Sequence, residues 1–287
     1  SETSLRRNRM ALDCLAFRPR ICRDVSEIDS STDFFGHPLR TPIFLAPMGG
    51  VERFSPNGGL DVDNAAETFG SINFLSTVCQ PSLEEVAVNS PHPKVFQVYV
   101  RGDDEWIKDL VRRVVKAKYS ALTLTVDSAF YGNRERLNPA QLALRRVPAR
   151  EWQKKITWDT VKMIQDEIGD MPFLLKGIMT AEDAELAVDH GVQGIYISNH
   201  GGRQLDHVLG NIQMLPEIIK TVKGKAKVFI DGGFTRGTDI VKALALGANA
   251  VGIGRLQAWA LGAGGAEGLV RCLELLEKEI TTTMGLL

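Results

Sequence analysis

Short apolar runs alternate along the chain with longer amphipathic segments. The runs are rich in β-branched residues and apolar at successive positions, which is typical of parallel strands buried on both faces. Eight such runs are present: Ile43–Ala46, Ile72–Leu75, Val95–Val98, Ala121–Val126, Phe173–Leu175, Gly194–Ile197, Val228–Ile230 and Ala250–Ile253. The helical patterns are Leu83–Val88, Asp104–Lys116, Trp158–Ile168, Ala181–Asp189, Met214–Val222 and Thr238–Leu246. The sequence therefore predicts repeated strand–helix units.

About eight strand–helix units in one chain predict a (β/α)8 TIM barrel, which is an α/β fold. A doubly wound open sheet is the competing architecture, but its glycine-rich turn usually follows the first strand. Here the glycine-rich turns follow the sixth, seventh and eighth predicted strands. No linker or shift in composition divides the chain, so we expect a single domain over residues 1–287.

A long insertion separates the fourth and fifth predicted strands, between Val126 and Phe173. It contains the stretch RERLNPAQLALRRVPAREW. Long loops at the carboxyl ends of barrel strands often cover the active site. The segment is therefore either a lid or a surface excursion, and its basic residues indicate a solvated face rather than a nucleic-acid site.

Composition narrows the range of partners. Lys and Arg (34) nearly balance Asp and Glu (35), whereas nucleic-acid binders usually carry a basic excess. Hydrophobic residues make up 44% of the chain, which is enough for a large core. We therefore expect an ordered protein that does not bind nucleic acid.

The cysteines and the first nine residues indicate the cellular compartment in which we expect the protein. Cys14, Cys22, Cys79 and Cys272 form no CxxC pair, which indicates neither a metal site nor a disulfide framework. No apolar run approaches the roughly 20 residues that span a bilayer, and residues 1–9 are polar and basic, unlike a signal peptide. We expect reduced thiols and an intracellular protein, cytoplasmic or peroxisomal, without a membrane segment.

Polar side chains follow the predicted strands at the end where a barrel carries its active site. They are too numerous to serve packing alone. These rim residues are Ser76, Gln97, Tyr99, Thr125, Asp127, Lys176, Ser198 and His200. We therefore expect a site at this rim.

Glycine-rich turns after the last two strands predict a phosphate site. They are Asp231-Gly232-Gly233 and Gly252-Ile253-Gly254-Arg255. Backbone N–H groups at a helix N-terminus favour an anion, and a barrel's phosphate site commonly lies at this place. Arg255 adds a planar cation, and ordinary glycine turns are the alternative interpretation.

The segment ISNHGGRQLD after the sixth strand carries the sharpest chemical signal. Histidine is the usual general base near neutral pH, and the two glycines after His200 would let a ligand approach closely. Arg203 is placed to bind an anion. A structural histidine is the alternative, but we expect His200, Asp127, Arg203 and Tyr99 to converge on one rim.

At these residues the sequence resembles the FMN-dependent 2-hydroxy acid oxidases and dehydrogenases, the family of glycolate oxidase, lactate oxidase and mandelate dehydrogenase. The similarity runs almost end to end, through FQVYV, TLTVD, LLKGIM, SNHGGRQLD and DGGFTRGTDIVKALALGANAVGIGR. It implies FMN as cofactor, a small (S)-2-hydroxy acid as substrate and a homotetramer. The electron acceptor stays open between O2, a quinone and a cytochrome. A different FMN barrel of the isomerase type and an inactive ligand-binding barrel are the alternatives.

The resemblance implies catalytic roles residue by residue. His200 would be the base, and Asp127 would orient it and stabilise its protonated form. Arg203 and Arg134 would grip the substrate carboxylate, which their planar forks match. Tyr99 would hydrogen-bond the substrate hydroxyl or carboxylate.

The resemblance also implies the FMN contacts. Lys176 would stabilise negative charge near N1 and O2 of the reduced ring. Gly233, Gly254 and Arg255 would hold the phosphate. The full expected cofactor set is Pro47, Met48, Gly49, Ser76, Gln97, Thr125, Lys176, Ser198, Asp231, Gly232, Gly233, Gly254 and Arg255, with no metal.

The chain departs from the family pattern in four places. Family members carry an N-terminal segment with an active-site tyrosine and a longer loop where Leu137 meets Asn138, so we expect both pieces to be absent here. Thr235 replaces the usual arginine after DGGx, so Arg236 or backbone groups would take that phosphate contact. Gly49 stands where alanine is common, which predicts extra space beside the flavin and a bulkier substrate or a changed reaction with O2.

Overall fold

The computed structural model describes residues 2–132 and 151–287. An antiparallel hairpin of β1 (Thr32–Phe34) and β2 (His37–Leu39) precedes eight parallel strands that close into a barrel. These are β3 (Ile43–Leu45), β4 (Ile72–Ser76), β5 (Lys94–Val98), β6 (Ala121–Thr125), β7 (Phe173–Ile178), β8 (Gly194–Ile197), β9 (Lys227–Ile230) and β10 (Ala250–Ile253). Each barrel strand pairs with the next along the chain, and β10 closes on β3. The predicted TIM barrel is confirmed.

Helices surround the barrel. They are α1 (Glu2–Asp13), α2 (Gly59–Phe69), α3 (Leu83–Asn89), α4 (Asp104–Lys116), α5 (Trp158–Ile168), α6 (Ala181–Asp189), α7 (Asn211–Val222), α8 (Gly237–Ala245) and α9 (Arg255–Gly285). The last of these is interrupted at Gly264 and Gly265, whose backbone is not helical. Over the residues that the structure describes, no helix is long and apolar enough to cross a membrane.

The hydrophobic patterns did not predict α1, α2, α9 or the hairpin. In α1 the buried positions are Ser4, Asn8 and Leu12. Two of the three are polar, so this helix has a buried face without an apolar stripe. The hairpin strands have only three residues each, which is too short for a periodicity to show.

The lower half of the barrel interior is filled by apolar and aromatic side chains. Phe44, Phe74, Tyr196 and Phe229 point inward from four different strands and pack in one cluster. Phe34 of the hairpin joins them, with its ring centroid 5.2 Å from that of Phe229. The hairpin therefore closes the amino-terminal end of the barrel, which leaves the opposite end for a ligand.

The upper half of the interior is polar because inward-facing positions recur every second residue along a strand. On five of the eight barrel strands, a polar residue follows two positions after an inward-facing residue of this cluster: Ser76 after Phe74, Gln97 after Val95, Lys176 after Leu174, Ser198 after Tyr196 and Asp231 after Phe229. All five polar side chains are buried. Strand register alone thus gathers them into one layer below the barrel mouth.

The insertion after β6 is described up to residue 132 and again from residue 151 onward. Its last part folds back onto the barrel through Gln153, which is buried. The Gln153 amide donates to the carbonyl of Thr125 at 2.6 Å and accepts from the backbone N–H of Val100 at 2.7 Å. Arg134, the predicted lid and the predicted gap at 137–138 lie outside the described residues.

Candidate active site

His200 lies at the barrel mouth between two partners. Its Nδ1 atom is 3.1 Å from each carboxylate oxygen of Asp127, and its Nε2 atom is 2.9 Å from the hydroxyl oxygen of Tyr99. The ring is therefore held at both nitrogens. With Asp127 accepting from Nδ1–H, Nε2 is left as the basic nitrogen, which is the arrangement that a general base requires. The predicted convergence of these three residues is what the structure shows.

Asp127 stays ionised although its side chain is largely shielded from solvent. Burial raises the pKa of its carboxyl group, but the charges of His200 and Lys176 and the hydrogen bond from His200 outweigh that cost, and the net pKa is lowered. Gly177 makes room for this carboxylate. A Cβ atom at Gly177 would lie 2.7 Å from Asp127 Cβ, and its φ of +112° also favours glycine.

Lys176 is part of a buried charge network with Ser198 and Asp231. Its Nζ atom donates to Ser198 Oγ at 2.9 Å and lies 3.7 Å from Asp231 Oδ2. Ser198 Oγ in turn donates to Asp231 Oδ1 at 2.7 Å. Tyr196 donates to the other Asp231 oxygen at 2.9 Å, and burial and the Asp231 charge raise the pKa of its phenol. The network keeps one ammonium group fixed at the top of the barrel interior.

A second polar chain lies on the other side of the barrel interior. Ser76 Oγ donates to Gln97 Oε1 at 2.6 Å, and Gln97 Nε2 donates to Thr125 Oγ1 at 2.6 Å. These three residues come from the adjacent strands β4, β5 and β6. They offer donors and acceptors in a row, which suits the polar edge of a flat heterocycle.

Arg203 follows the short 3₁₀ turn that carries His200, and it is half-buried. Next to it, Gln204 joins this loop to the Asp127 loop, because its amide donates to the carbonyls of Asp127 at 3.2 Å and Phe130 at 3.3 Å. Sequence reasoning missed Gln204. Its only signal is its place within SNHGGRQLD.

The predicted phosphate cradle has the chemistry of an anion site. Gly254 is the N-cap of α9 with no side-chain cap, and a Cβ atom there would meet nothing within 4 Å. The first turn of α9 thus faces open space, where an anion is favoured. Arg255 is fixed beside it by a 3.0 Å hydrogen bond to the carbonyl of Gly201. The residues present fit a phosphate group.

The departure at Thr235 does not bring Arg236 into this cradle. The guanidinium group of Arg236 is bound to the Glu279 carboxylate, with a shortest contact of 2.6 Å. Arg9 of α1 lies beside this turn instead. Its Nη1 atom is 3.1 Å from the carbonyl oxygen of Gly233 and 3.3 Å from Thr235 Oγ1. Of the two expected replacements for the missing arginine, the structure thus favours backbone groups over Arg236, which is engaged with Glu279.

One interpretation of a glycine is also corrected. A Cβ atom at Gly202 would lie 2.5 Å from the backbone of Leu5, so this glycine admits α1 rather than a ligand. A Cβ atom at Gly232 would lie 2.4 Å from Asn211 Nδ2, and one at Gly233 would lie 3.0 Å from the backbone of Asn8, whereas the role of these glycines in binding a phosphate stays a prediction. At these turns the backbone packs against α1 and the start of α7.

Gly49 does not leave open space. A Cβ atom there would lie 2.4 Å from Val78 Cγ2, so the Val78 side chain occupies the position of the missing methyl group. The two loops are joined by a 3.1 Å hydrogen bond from Gly50 N–H to the Val78 carbonyl. Pro47 and Met48, which precede Gly49 after β3, are half-buried at the same rim.

Comparison with known proteins identifies the family. A sequence model described as FMN-dependent dehydrogenase matches residues 1–287. An L-lactate oxidase from a Nostoc species is 39% identical, and the match covers 100% of this chain and 86% of the relative. Glycolate oxidase 3 from Arabidopsis thaliana is 38% identical, covering 99% of this chain and 83% of the relative.

Comparison with solved structures supports the same family. The fold is similar to a crystal structure of a mandelate oxidase variant, with a TM-score of 0.93 and 40% identity, covering 100% of this chain and 87% of that one. Another mandelate oxidase variant, solved with an FMN adduct, gives a TM-score of 0.90 at 39% identity, over 100% of this chain and 87% of that one. FMN as cofactor and an oxidoreductase activity are thereby confirmed. The chain belongs to the FMN-dependent dehydrogenase family, whose relatives include oxidases of 2-hydroxy acids.

Proposed function

We propose that this protein oxidises a small (S)-2-hydroxy acid to the 2-oxo acid, with His200 as the base. The observation that carries the proposal is the position of the imidazole between Asp127 and Tyr99, 2.9 Å from the tyrosine hydroxyl at Nε2. A histidine with a structural role alone does not need an ionised carboxylate at one nitrogen and an accessible polar rim at the other. The lactate and glycolate oxidases among the relatives support the substrate class.

Proton transfer follows from this geometry. Asp127 holds Nδ1–H, so Nε2 is the atom that accepts a proton from the substrate. That proton is the hydroxyl proton if the α-hydrogen departs with both electrons, or the α-proton if the carbon is deprotonated first. In both cases Asp127 stabilises the imidazolium that results. Tyr99 donates to Nε2 in the structure and turns to the substrate hydroxyl or carboxylate on binding.

Two arginines would hold the carboxylate of the substrate. Arg203 lies in the loop that carries His200, and Gln204 fixes this loop to the Asp127 loop. Arg134 is assigned to the same task by resemblance. A guanidinium fork binds a carboxylate through two parallel hydrogen bonds, which orients the substrate carbon as well as binding it.

The residues of the barrel interior would hold FMN, which when bound accepts the two electrons. Lys176 would place a fixed positive charge where the reduced ring carries negative charge. Ser76, Gln97 and Thr125 would bond the polar edge of the ring. The helix start at Gly254 and the Arg255 side chain would hold the phosphate.

The deciding experiment is anaerobic mixing of the FMN-loaded enzyme with lactate, glycolate, a long-chain 2-hydroxy acid and mandelate. We expect the yellow absorbance of the flavin to bleach with at least one of them, and not to bleach in His200→Gln, which still binds FMN. Bleaching of the variant at the wild-type rate would overturn the role of His200. A wild-type flavin that none of the acids reduces would favour an isomerase or an inactive barrel.

The same preparation tests the remaining proposals. Turnover with O2, a quinone or cytochrome c as oxidant identifies the electron acceptor class. We further propose a homotetramer, checked by light scattering, and a cytoplasmic or peroxisomal location, checked by imaging a tagged chain in its source cell. All four cysteines are free in the structure, which agrees with a reducing compartment.

A further inference from the structure

A pair of buried amides connects α1 with the turn that carries His200. Asn8 Nδ2 donates to Asn199 Oδ1 at 2.9 Å, and Asn199 Nδ2 donates back to Asn8 Oδ1 at 2.9 Å. Both side chains are buried, Asn8 completely. Asn199 directly precedes His200, so a residue near the start of the chain contacts the neighbour of the base.

Asn211, the first residue of α7, completes a cluster of three amides. Its backbone N–H donates to Asn8 Oδ1 at 3.1 Å, and its Oδ1 atom accepts from the backbone N–H of Asn199 at 3.1 Å. Its Nδ2 atom donates to the carbonyl of Asp231 at 2.7 Å. We call Asn8, Asn199 and Asn211 the asparagine cluster.

The asparagine cluster fixes two parts of the active site at once. On one side, Asn199 Oδ1 accepts from the N–H of Gly202 at 3.0 Å and thereby closes the turn around His200. His200 has a φ of +58°, a conformation that a side chain rarely adopts and that the surroundings must enforce. On the other side, Asn211 holds Asp231, which is the partner of Ser198 and Lys176.

We propose that Asn8 is a positioning residue for this reaction, acting through Asn199 on the His200 turn and through Asn211 on Asp231. The inference rests on the proposed function only for its effect on turnover. Asn8 touches neither the base nor the charge network, and its amide is the group that both of the other asparagines contact. Removing it takes one of two donors from Asn199 Oδ1, one of two acceptors from Asn199 Nδ2 and the acceptor of the Asn211 N–H, which weakens the hold of the cluster on the turn.

The role of Asn8 is not merely to attach α1 to the barrel, because other contacts hold this helix in place. The N–H of Ser4 donates to the Asp206 carboxylate at 2.7 Å, and Arg7 donates to the carbonyl of His207 at 2.6 Å. Arg9 forms a two-pronged pair with the buried Asp239 at 2.6 and 2.7 Å. These contacts lie on both sides of Asn8, so the helix stays docked without it.

The test compares Asn8→Ala with Ser4→Ala in the FMN-loaded enzyme. Ser4 is equally buried on the same helix, and its hydroxyl accepts from Val208 N–H at 3.2 Å without touching the asparagine cluster. We expect Asn8→Ala to lower kcat by about tenfold or more, since the loss of even one of its three buried hydrogen bonds can have this effect, with KM changed much less. We expect Ser4→Ala to keep the wild-type kcat.

Amide hydrogen exchange gives a readout that does not depend on turnover. In Asn8→Ala, the peptide covering residues 199–204 should exchange faster than in wild type, with and without FMN, while Ser4→Ala should leave it unchanged. If wild type oxidises no 2-hydroxy acid, the proposed function fails and the exchange rates still decide the role of Asn8. Wild-type exchange in Asn8→Ala, or equal losses of kcat in the two variants, would overturn the proposal.

Asn8→Asp keeps the test valid if Asn8→Ala does not fold. Aspartate retains an acceptor for Asn199 Nδ2 and Asn211 N–H but has no donor for Asn199 Oδ1. We expect a folded protein with a lowered kcat and faster exchange over residues 199–204. A folded Asn8→Asp protein with wild-type values of both would contradict the role of that donor.

Discussion

The hydroxyl oxygen of Tyr99 lies 2.9 Å from Nε2 of His200, the one ring nitrogen that Asp127 does not hold. Tyr99 comes from the loop after β5 and His200 from the loop after β8, so two distant parts of the chain meet at this atom. In the structure, the tyrosine hydroxyl satisfies the basic nitrogen. A substrate hydroxyl must reach the same nitrogen, and Tyr99 therefore lies at the reacting position.

Tyr99→Phe tests this relationship. Loss of the phenol removes one hydrogen bond from the substrate or the base, which corresponds to a decrease of about tenfold in kcat/KM. Tyr119→Phe is a matched control, since the Tyr119 hydroxyl is buried and donates at 2.9 Å to the carbonyl of Leu83, away from the mouth. Steady-state kinetics with the best substrate should show a loss only for Tyr99→Phe. An equal loss in both variants would indicate a general effect of removing a buried phenol.

Asp127→Asn should lower kcat by about two orders of magnitude or more, within the range of general acid–base contributions. The amide cannot stabilise an imidazolium, and its NH2 group can hold His200 in the tautomer whose Nε2 is protonated. Stopped-flow reduction of the bound flavin measures the effect on chemistry directly. A variant that reduces its flavin at the wild-type rate would show that His200 works without an anionic partner.

The pH dependence of stability gives a second check on Asp127. Its pKa is lowered in the folded protein, so its carboxylate stabilises the fold above the unfolded pKa of about 3.9. That contribution is lost as the pH falls through the lowered, folded pKa. Urea unfolding should therefore show Asp127→Asn less stable than wild type at pH 7, with the difference shrinking below about pH 4. A difference that is constant with pH would contradict the lowered pKa.

The barrel strands were predictable from the sequence because they are buried on both faces. Runs such as Ile43–Ala46 and Val228–Ile230 are apolar at every position, and the structure places strands there. The rim residues were predictable for the same reason, since each follows directly from a strand that was already located. One rule, that the carboxyl ends of barrel strands meet at one face, was enough to predict that His200, Asp127 and Tyr99 lie close together.

The remaining features of the site depend on contacts between distant segments. Such contacts leave no local pattern in the sequence. Nothing in the sequence around Asn8 indicates that it pairs with Asn199, because its helix buries polar residues. Gly202 was interpreted as room for a ligand, whereas the backbone of α1 fills that room. A glycine-rich turn indicates that some group packs closely against the backbone. It does not indicate whether that group is a ligand or another segment of the chain.

Gly49 and Val78 should behave as a coupled pair. Alanine at position 49 would lie 2.4 Å from Val78 Cγ2, so the Val78 side chain, which is exposed, would have to shift. We expect Gly49→Ala to lower the free energy of unfolding and to reduce kcat/KM for mandelate more than for lactate. Val78→Ala in the same chain should reverse both effects. Additive effects in the double variant would show that the two side chains do not compete for one space.

Two buried lysine–aspartate pairs in the described part of the chain allow stability and redox effects to be separated. Lys176 lies near Asp231 at the barrel mouth, whereas Lys94, at the start of β5, lies 3.3 Å from Asp63 of α2 at the opposite end. Both lysines are almost completely buried. Breaking either pair leaves a buried carboxylate uncompensated, which typically costs about 3–5 kcal/mol.

We therefore expect Lys176→Met and Lys94→Met to destabilise the protein similarly in urea unfolding. Only Lys176→Met should also make the reduction potential of bound FMN more negative, because it removes the positive charge that favours an anionic reduced ring. Potentiometric titration of the two holoenzymes measures this difference. If Lys176→Met kept the wild-type potential, or if Lys94→Met lowered it as much, the ammonium group of Lys176 would not be acting on the flavin.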